Sequence, residues 1–403
     1  MPWRISSAMS QRHEFVLLAG QEKANVRQLC RQFGISSATA YKWLSRFQAQ
    51  GTQGLQELSR RPHDSPARIA KEIEKAVISQ RHKHPAWGGR KLRARLLALG
   101  HTNVPSPSTI TSILQRHHLL TNEESLKHKP WIRFVHPQPN DLWQMDFKGD
   151  FALGRGRCYP LTVVDDHSRF ALGLVACSNQ RTETTRTALV SVFRRYGLPW
   201  RLAMDNGMPW AAYHHGRTCY TDFSVWLIRL GIRLSFSRPH HPQTQGKDER
   251  FHRTLAVELL RDRLWLNQQE CQRAFEKWRA QYNLIRPHEA LGLSVPASRY
   301  HASVRSFPET LLPIEYDDHE ITRKVGDRGQ VKYQQRKFFL GNAFAGLHVA
   351  LRHTTTDGLL DVYLGHSGLA RLTSNSPHRS IDNVFTMSPN MCSRCLRSIH
   401  SFL

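Results

Sequence analysis

The sequence predicts a multidomain chain, with two all-α modules at the N-terminus, an α/β core with a mixed sheet, and a small all-β domain near the C-terminus. Its 403 residues correspond to two to four domains at about 150 residues each. Hydrophobic periodicity is helical at first, then mixed, and finally alternating. Hydrophobic residues make up 40% of the chain, which is enough to build cores and excludes disorder as the main state.

The charge of the chain predicts a polyanionic partner. It has 57 Lys and Arg against 32 Asp and Glu, a formal net charge of +25. Residues 1–140 hold 22 of these basic residues and only 8 of the acidic ones, so more than half of the excess lies in the first third. This asymmetry favours a dedicated nucleic-acid module at the N-terminus.

The cysteines and the hydropathy predict an intracellular protein. The seven Cys are an odd, scattered set, which is typical of reduced thiols. No apolar run approaches the roughly 18 residues of a membrane span, and the first residues lack a secretory signal, so we expect a cytoplasmic protein without membrane contact. The Cys392 and Cys395 pair has no second pair at zinc-ligand spacing, so it only weakly suggests a metal site.

Residues 10–62 form the first predicted DNA-binding domain, a helix-turn-helix. Gly34 ends one helix, and Ser36 is the predicted N-cap of the next. The apolar stripe of the first helix consists of Val26, Leu29, Cys30 and Phe33, and that of the second of Ala40, Tyr41, Leu44 and Phe47. The predicted DNA-contacting face of the second helix carries Ser37, Thr39, Lys42 and Arg46. Simple packing of a helical hairpin is the alternative.

Residues 67–122 form the second predicted module, helix-turn-helix or winged-helix in type. One helix ends near His82, and Ser106 or Ser108 caps the last one. The helix between them has a predicted apolar face of Leu92, Leu96, Leu97 and Leu99 and exposed cations at Arg90, Lys91, Arg93 and Arg95. Arg90 and Lys91 are candidate DNA contacts, with a solvated helix face as the alternative.

Residues 139–300 follow a linker at 123–138 and form the predicted catalytic core. In residues 142–176 apolar and polar residues alternate, which predicts three strands. A helix at about 182–196, a strand at 198–205, a helix at about 223–230, a strand at 232–236 and a long helix follow. This order of elements is that of an RNase H-like domain. Residues between Trp210 and Thr221 form an insertion after the turn sequence DNG, and Asp205 and Glu249 on either side of it are 44 positions apart.

Three carboxylates occupy positions where such a sheet could bring them together. Asp146 lies within the first strand, Asp205 ends the fourth strand, and Glu249 lies in the first turn of the last helix. Phosphodiester cleavage is assisted by two divalent cations that stabilise the attacking and leaving oxygens. Oxygen ligands suit Mg²⁺ or Mn²⁺, so the sequence predicts a metal-dependent site, with two ions expected.

These residues carry a resemblance to the DDE transposases of bacterial insertion sequences, whose catalytic core is shared with retroviral integrases. The matching segments cover about residues 10–300. They are LWQMDFKGDF, LTVVDDHSRF, MDNGMPW, LGIRLSFSRPHHPQTQGKDERFHRTL and YNLIRPHEALGLSVPASRY, together with HPAWGGRKLRARL and VPSPSTI upstream. The resemblance implies that Asp146, Asp205 and Glu249 are the catalytic, metal-binding carboxylates. The G-x-x-E-R spacing favours Glu249 over its neighbour Asp248, which lies about 100° around the helix.

The resemblance also implies an activity. The protein would bind the terminal inverted repeats of its mobile element, cleave their 3′ ends and join them to target DNA, working as a dimer or tetramer on DNA in a bacterial cytoplasm. Residues 239–246 would cover the scissile phosphate. The expected phosphate contacts of the core are Lys148, Lys247, Arg250 and Arg253.

Several alternatives remain open from the sequence. A catalytically idle, site-specific DNA-binding regulator and a nuclease acting on RNA:DNA hybrids would share the core. Asp165 and Asp166 are better explained as turn caps than as metal ligands, and His214, His215, His240 and His241 as loop residues than as a zinc site.

Residues 310–372 form the predicted small, barrel-like all-β domain, whose Lys332, Arg336, Lys337 and Arg352 contact either DNA or solvent. The tail at 373–403 has no predicted structure.

Overall fold

The computed structural model describes residues 7–57, 69–120, 135–214, 217–236, 246–261, 263–356, 358–373 and 381–383. The chain divides into two compact units after Arg68. Within the described residues, no helix is long and apolar enough to cross a membrane. The predicted tail, including Cys392 and Cys395, lies almost entirely outside the described residues.

The first unit contains three helices, α1 (Ala8–Ala19), α2 (Val26–Gln32) and α3 (Ser37–Gln50). The Ser36 side chain accepts a hydrogen bond from the Thr39 backbone N–H at 3.2 Å, which confirms the predicted N-cap. The apolar face of α3 was assigned incorrectly from the sequence: Tyr41 is 61% exposed, whereas Trp43 is buried. Residues two positions apart differ by about 200° around a helix, so only one of these two rings faces inward, and the larger indole takes that position.

The second unit begins with α4 (Lys71–Lys83), α5 (Gly89–Ala98) and α6 (Pro107–Arg116). Trp87, Leu92 and Leu96 are buried with side chains of the neighbouring helices. The predicted inward positions of Leu97 and Leu99 are wrong, because both lie at the end of α5 and are 46% exposed. Ser106, rather than Ser108, caps α6 by accepting from the Thr109 N–H.

A mixed sheet forms the centre of the second unit, in the order β4-β3-β1-β5-β8, with the short β2 also pairing with β3. Its strands are β1 (Trp143–Phe147), β2 (Phe151–Ala152), β3 (Arg157–Asp165), β4 (Ala171–Cys177), β5 (Arg201–Met204) and β8 (Arg233–Phe236). β3 pairs antiparallel with β1 and β4, while β1, β5 and β8 run parallel. The predicted insertion after β5 forms a two-stranded hairpin, β6 (Ala211–His214) and β7 (Arg217–Tyr220).

Helices cover both faces of this sheet. They are α7 (Thr182–Tyr196), α8 (Asp222–Arg229), α9 (Gly246–Leu255) and α10 (Gln268–Leu284), and a π-helical turn at Ala256–Leu260 extends α9. One hydrophobic core contains residues of α7 and α8, and another contains residues of α9 and α10. The two-sided cover explains why β3 and β4 are almost continuously buried.

The C-terminal part of the second unit is all-β, as predicted. A five-stranded antiparallel sheet has the order β15-β14-β13-β12-β9, and β10 and β11 form a separate hairpin. The strands are β9 (Ile321–Lys324), β10 (Gln330–Tyr333), β11 (Arg336–Phe339), β12 (His348–His353), β13 (Leu359–Leu364), β14 (Ser367–Thr373) and β15 (Ile381–Asn383). Val225 and Ile228 of α8 belong to the hydrophobic core of this domain, so it packs directly on the domain that contains the mixed sheet.

A buried ion pair fixes the segment that follows α10. Arg286 Nε donates to Glu258 Oε1 at 2.8 Å, and Trp278 Nε1 donates to the other oxygen at 3.2 Å. The two side chains are only 9% and 7% exposed. Removing one member of such a pair leaves the other charge buried and uncompensated.

We expect Arg286→Met to lower the free energy of unfolding by about 3 kcal/mol, because Glu258 loses its ion-pair partner. The double variant Glu258→Gln/Arg286→Met should lose less, since the remaining group is neutral. Urea unfolding followed by tryptophan fluorescence measures both. Wild-type stability in the single variant would show that the pair does not hold this segment.

Candidate active site

Parallel pairing of β1 and β5 brings two predicted catalytic residues together. Trp143 pairs with Leu202 and Gln144 with Ala203. Continuing this register by two residues sets Asp146 beside Asp205, on strands about 4.8 Å apart. Asp205 also acts on Asp146 electrostatically. The structure therefore places these two carboxylates side by side.

Asp205 is held by the turn that follows β5. Its Oδ1 accepts from the Gly207 backbone N–H at 3.1 Å and from the Trp210 indole N–H. The Trp210 ring stacks on Phe147 of β1 with centroids 5.4 Å apart. A Cβ at position 207 would lie 3.0 Å from Asp205 Oδ2, so only glycine fits there without movement of the carboxylate.

Asp146 is partly buried, and both its burial and the nearby Asp205 disfavour its ionised form. The Phe147 backbone N–H donates to its Oδ1 at 2.8 Å. Burial raises the pKa of Asp146 to about 6, and the neighbouring Asp205 contributes in the same direction. Among the described residues, neither Asp146 Oδ2 nor Asp205 Oδ2 accepts a hydrogen bond. Each carboxylate thus keeps one oxygen that a cation could bind.

His252 of α9 is a site residue that the sequence analysis missed. Its Nδ1 lies 3.9 Å from Asp146 Oδ2, and its Nε2 lies 2.8 Å from Thr162 Oγ1. The Thr162 hydroxyl donates to the Asp146 carbonyl at 2.9 Å, so it accepts from His252 Nε2–H and leaves Nδ1 facing Asp146. Burial, with Lys148 nearby, lowers the pKa of His252 to about 4. His252 lies four residues, or one helical turn, after the buried Asp248, and this spacing could have predicted its proximity to Asp146.

In the first turn of α9, the side chain of Asp248, rather than that of Glu249, faces the protein interior. Asp248 is 2% exposed, and burial, followed by Asp146 and Asp166, raises its pKa well above the usual value. Its Oδ1 has no hydrogen-bond partner within the described residues. Glu249 is exposed, and the structure does not bring it to the Asp146 and Asp205 pair. Its catalytic role stays a prediction.

Asp165 and Asp166 both lie at the end of β3 and are almost fully buried. Asp165 accepts from the Asn140 N–H and from the backbone N–H and hydroxyl of Ser168, as a turn cap does. Asp166 makes different contacts: it accepts from Gln144 Nε2, from the His136 N–H and from Lys247 Nζ. The sequence-based interpretation as a turn cap therefore fits Asp165 but not Asp166.

The predicted phosphate contacts of the core fall into two groups. Arg250 and Arg253 are exposed on α9, and Lys148 is half-buried beside the site. Lys247 instead turns inward: its side chain is 20% exposed and pairs with Asp166. Burial lowers the pKa of Lys247, although Asp166 opposes that effect. An outward phosphate contact by Lys247 is inconsistent with this geometry.

In the first unit, the predicted DNA-contacting residues do not share one environment. Ser37 and Lys42 are exposed on α3, while Thr39 is half-buried. Lys42 and Arg46 lie 5.2 and 4.8 Å from the centroid of the buried Trp43 ring, and Arg46 also donates to the Gln56 carbonyl. The exposed face of α3 additionally carries Tyr41, which the sequence analysis had assigned to the core.

The two cations predicted on α5 lie beside the segment after α10. Arg90 is 3.9 Å from Glu289 and largely exposed. Lys91 is half-buried, and burial, with Arg286 nearby, lowers its pKa to about 8. Both remain candidate DNA contacts, but Lys91 does not lie on an open helix face as predicted. His215, His240 and His241 lie outside the described residues, as do residues 239–245 of the predicted covering loop.

Comparisons with protein families agree with this arrangement. Two models described as "Integrase core domain" match residues 136–242 and 230–296. A "Helix-turn-helix domain" matches 11–63, and a "Homeodomain-like domain" matches 39–114. The model "IS481 family transposase, C-terminal domain" matches 320–375.

Similar proteins include products of insertion elements. An uncharacterized 39.2 kDa protein of insertion element IS476 from Xanthomonas euvesicatoria is 26% identical over 42% of this chain and 46% of its own length. An uncharacterized 31.7 kDa protein of insertion element IS407 from Burkholderia multivorans is 27% identical over 40% of this chain and 54% of its own. The chain thus spans about half the length of these relatives.

Similar solved structures include retroviral integrases. The magnesium-bound catalytic core domain of HTLV-2 integrase, in its dimeric form, is 14% identical over 41% of this chain and 99% of that chain, with a TM-score of 0.30. The simian T-cell lymphotropic virus intasome in complex with the PP2A regulatory subunit B56 gamma is 15% identical over 79% and 99%, with a TM-score of 0.35.

Fold, site and domain matches define a protein with helix-turn-helix domains joined to an integrase catalytic core. The match to the IS481-type C-terminal domain and the insertion-element relatives narrow this similarity to the proteins of bacterial insertion sequences. These matches confirm the resemblance to insertion-sequence transposases that the sequence predicted.

The raised pKa of Asp146 predicts how stability depends on pH without metal. The Asp146 carboxyl has a pKa of 3.8 in the unfolded chain and about 6 in the folded protein. Protonated Asp146 therefore makes its full contribution to the free energy of unfolding below pH 3.8, and this contribution is lost as the pH rises through 6. The two-unit difference corresponds to at most about 3 kcal/mol. We therefore expect Asp146→Asn to be more stable than wild type at pH 8 in EDTA, with little difference at pH 4.

Thermal unfolding at both pH values, with and without Mg²⁺, measures this. Added Mg²⁺ should raise the melting temperature of the wild type at pH 8 but not that of Asp146→Asn. Equal stability of the two proteins at pH 8 in EDTA would show that Asp146 carries no charge penalty.

Proposed function

We propose that the protein is a transposase, which binds the terminal inverted repeats of its mobile element and catalyses metal-dependent DNA 3′-end cleavage and strand transfer. The observation that supports this most directly is the proximity of Asp146 and Asp205 at the carboxyl ends of the parallel strands β1 and β5. The helix-turn-helix domains supply the means to bind DNA. The net charge of +25 suits a polyanionic substrate.

The residues present fit a divalent cation. Two neighbouring carboxylates repel each other, and a cation between them would offset that repulsion. Their oxygens are the ligands that Mg²⁺ and Mn²⁺ prefer. Within the described part of the chain, no three His, Cys, Asp or Glu side chains are placed to hold one ion together. Asp146 and Asp205 are therefore the proposed first ligands, with Glu249 completing the set for two ions.

The protein's own groups would orient the reaction. When bound, the cations stabilise the attacking and leaving oxygens of the phosphodiester. The Gly207 and Trp210 N–H groups hold Asp205, and the Phe147 N–H holds Asp146, so both carboxylates are oriented before substrate arrives. Arg250 and Arg253 would contact phosphates on the same side as Glu249, in the first two turns of α9.

Variants of Glu249 and Asp248 test which of these two residues is the third catalytic carboxylate. Purified protein is incubated with Mg²⁺ and labelled DNA from the inverted repeats that flank the gene, and 3′-end cleavage and joining are measured. Asp146→Asn, Asp205→Asn and Glu249→Gln should each slow both steps by about a hundredfold or more, because several kcal/mol of metal-assisted stabilisation is lost.

Asp248→Asn is the matched control, because it changes the adjacent carboxylate by the same chemistry. It should cleave at close to the wild-type rate. If Asp248→Asn is inactive and Glu249→Gln is active, the third ligand is Asp248. If wild type and all variants are equally inactive on authentic ends, the protein is a DNA-binding regulator rather than an enzyme.

Tyr41 should contribute to sequence recognition. With Ser37 and Lys42 it lies on the exposed face of α3, the second helix of the helix-turn-helix, which enters the major groove in this class of domain. An exposed ring can contact a thymine methyl group without neutralising a phosphate. Tyr41→Ala should therefore weaken binding to end-repeat DNA by about tenfold, or roughly 1.4 kcal/mol, while leaving binding to random DNA unchanged.

Fluorescence anisotropy over a range of salt concentrations measures both affinities. Tyr41→Ala should keep the wild-type slope of log K against log salt, whereas Lys42→Ala should reduce it by about one. Equal losses on end-repeat and random DNA for Tyr41→Ala would contradict a role in recognition.

A further inference from the structure

We propose that Asp166 is a positioning residue of the catalytic centre, which joins strand β1 to the first turn of α9. The proposal rests on the proposed function, because it concerns the alignment of the same carboxylates. Asp166 lies at the end of β3 and contributes no ligand of its own. It would act through its two side-chain partners, Gln144 and Lys247.

The contacts of Asp166 reach both elements that carry candidate catalytic groups. Its Oδ1 accepts from Gln144 Nε2 at 2.7 Å and from Lys247 Nζ. Its Oδ2 accepts from the His136 backbone N–H at 2.9 Å. One carboxylate thus connects β1, α9 and the segment that leads into the sheet.

The spacing of the partners gives these contacts their significance. Gln144 is two residues before Asp146, so the two side chains lie on the same face of β1. Lys247 is two residues before Glu249 in the first turn of α9. A shift of Asp166 would therefore move the backbone beside both candidate metal ligands.

The burial of Asp166 and Lys247 requires that the two side chains remain paired. Asp166 is 2% exposed, and the Lys247 side chain is 20% exposed. An ammonium and a carboxylate removed from water are stable only while they remain paired. The pair therefore holds the start of α9 against β3, at the end of the helix that presents Glu249.

Asp165 offers a matched comparison within the same turn. It is equally buried, but its carboxylate accepts only from Asn140 and Ser168 among the described residues, and neither lies on α9. Removing its charge should weaken the turn without releasing α9. The two neighbouring aspartates thus separate loss of stability from loss of alignment.

Hydrogen exchange of the full-length protein tests the proposal without relying on activity. The amides of residues 250–253 bond to the carbonyls of the first turn of α9, so their exchange reports on that turn. Asp166→Asn and Lys247→Met should each accelerate this exchange by about tenfold or more, and the double variant should add little, because both break the same pair. Asp165→Asn should leave it near the wild-type rate.

Mn²⁺ affinity, measured by calorimetry at pH 8, provides a second readout. Asp166→Asn and Lys247→Met should bind Mn²⁺ roughly 10-fold to 100-fold more weakly, as is usual when partners of metal ligands are removed. Asp165→Asn should keep wild-type affinity even if its melting temperature falls. Cleavage of end-repeat DNA by the two positioning variants should require correspondingly more Mg²⁺ for half-maximal rate.

Wild-type exchange and wild-type Mn²⁺ affinity in a folded Asp166→Asn would overturn the proposal, as would equal effects of Asp165→Asn. Lys247→Met decides the matter if Asp166→Asn does not fold, because it removes the other half of the pair. A wild-type protein that never cleaves end-repeat DNA would contradict the proposed function instead. In that case the exchange and Mn²⁺ measurements still decide the role of Asp166.

Discussion

The repulsion between two carboxylates on adjacent parallel strands is the constraint on which the rest of this structure depends. The β1 and β5 register sets Asp146 beside Asp205, and burial prevents water from screening them fully. A protein gains no stability from such a pair by itself. The arrangement is understandable if a divalent cation completes it, since the same cation can then activate a phosphodiester.

The surroundings of the pair orient it without neutralising it. Backbone and indole N–H groups hold one oxygen of each aspartate, and no group in the described part of the chain donates to the other oxygen. Two of the basic side chains near the pair do not neutralise it: Lys247 is bound to Asp166, and burial favours the neutral form of His252. Lys148 lowers the pKa of Asp146, but burial and Asp205 outweigh that effect. The basic residues that give the chain its net charge can therefore attract DNA without replacing the metal.

Sequence patterns predicted the order of strands and helices along the chain and the proximity of Asp146 and Asp205, because the carboxyl ends of parallel strands lie at the same edge of a sheet. The catalytic role of these residues stays a prediction. Sequence patterns could not separate Tyr41 from Trp43, since both fit an amphipathic helix and only packing decides which ring is buried. Asp166 was assigned as a turn cap for a related reason. Its partner Lys247 is 81 residues away, and local periodicity carries no information about that contact.

The most direct test of the account is a crystal structure of the full-length protein with Mn²⁺ at pH 8, using anomalous scattering to locate the ion. We predict an anomalous peak within about 2.2 Å of Asp146 Oδ2 and Asp205 Oδ2, a normal distance for a small divalent ion. The peak should disappear in Asp146→Asn. Carboxylates that stay side by side with no ion bound, at Mn²⁺ concentrations that support DNA cleavage, would contradict the central claim.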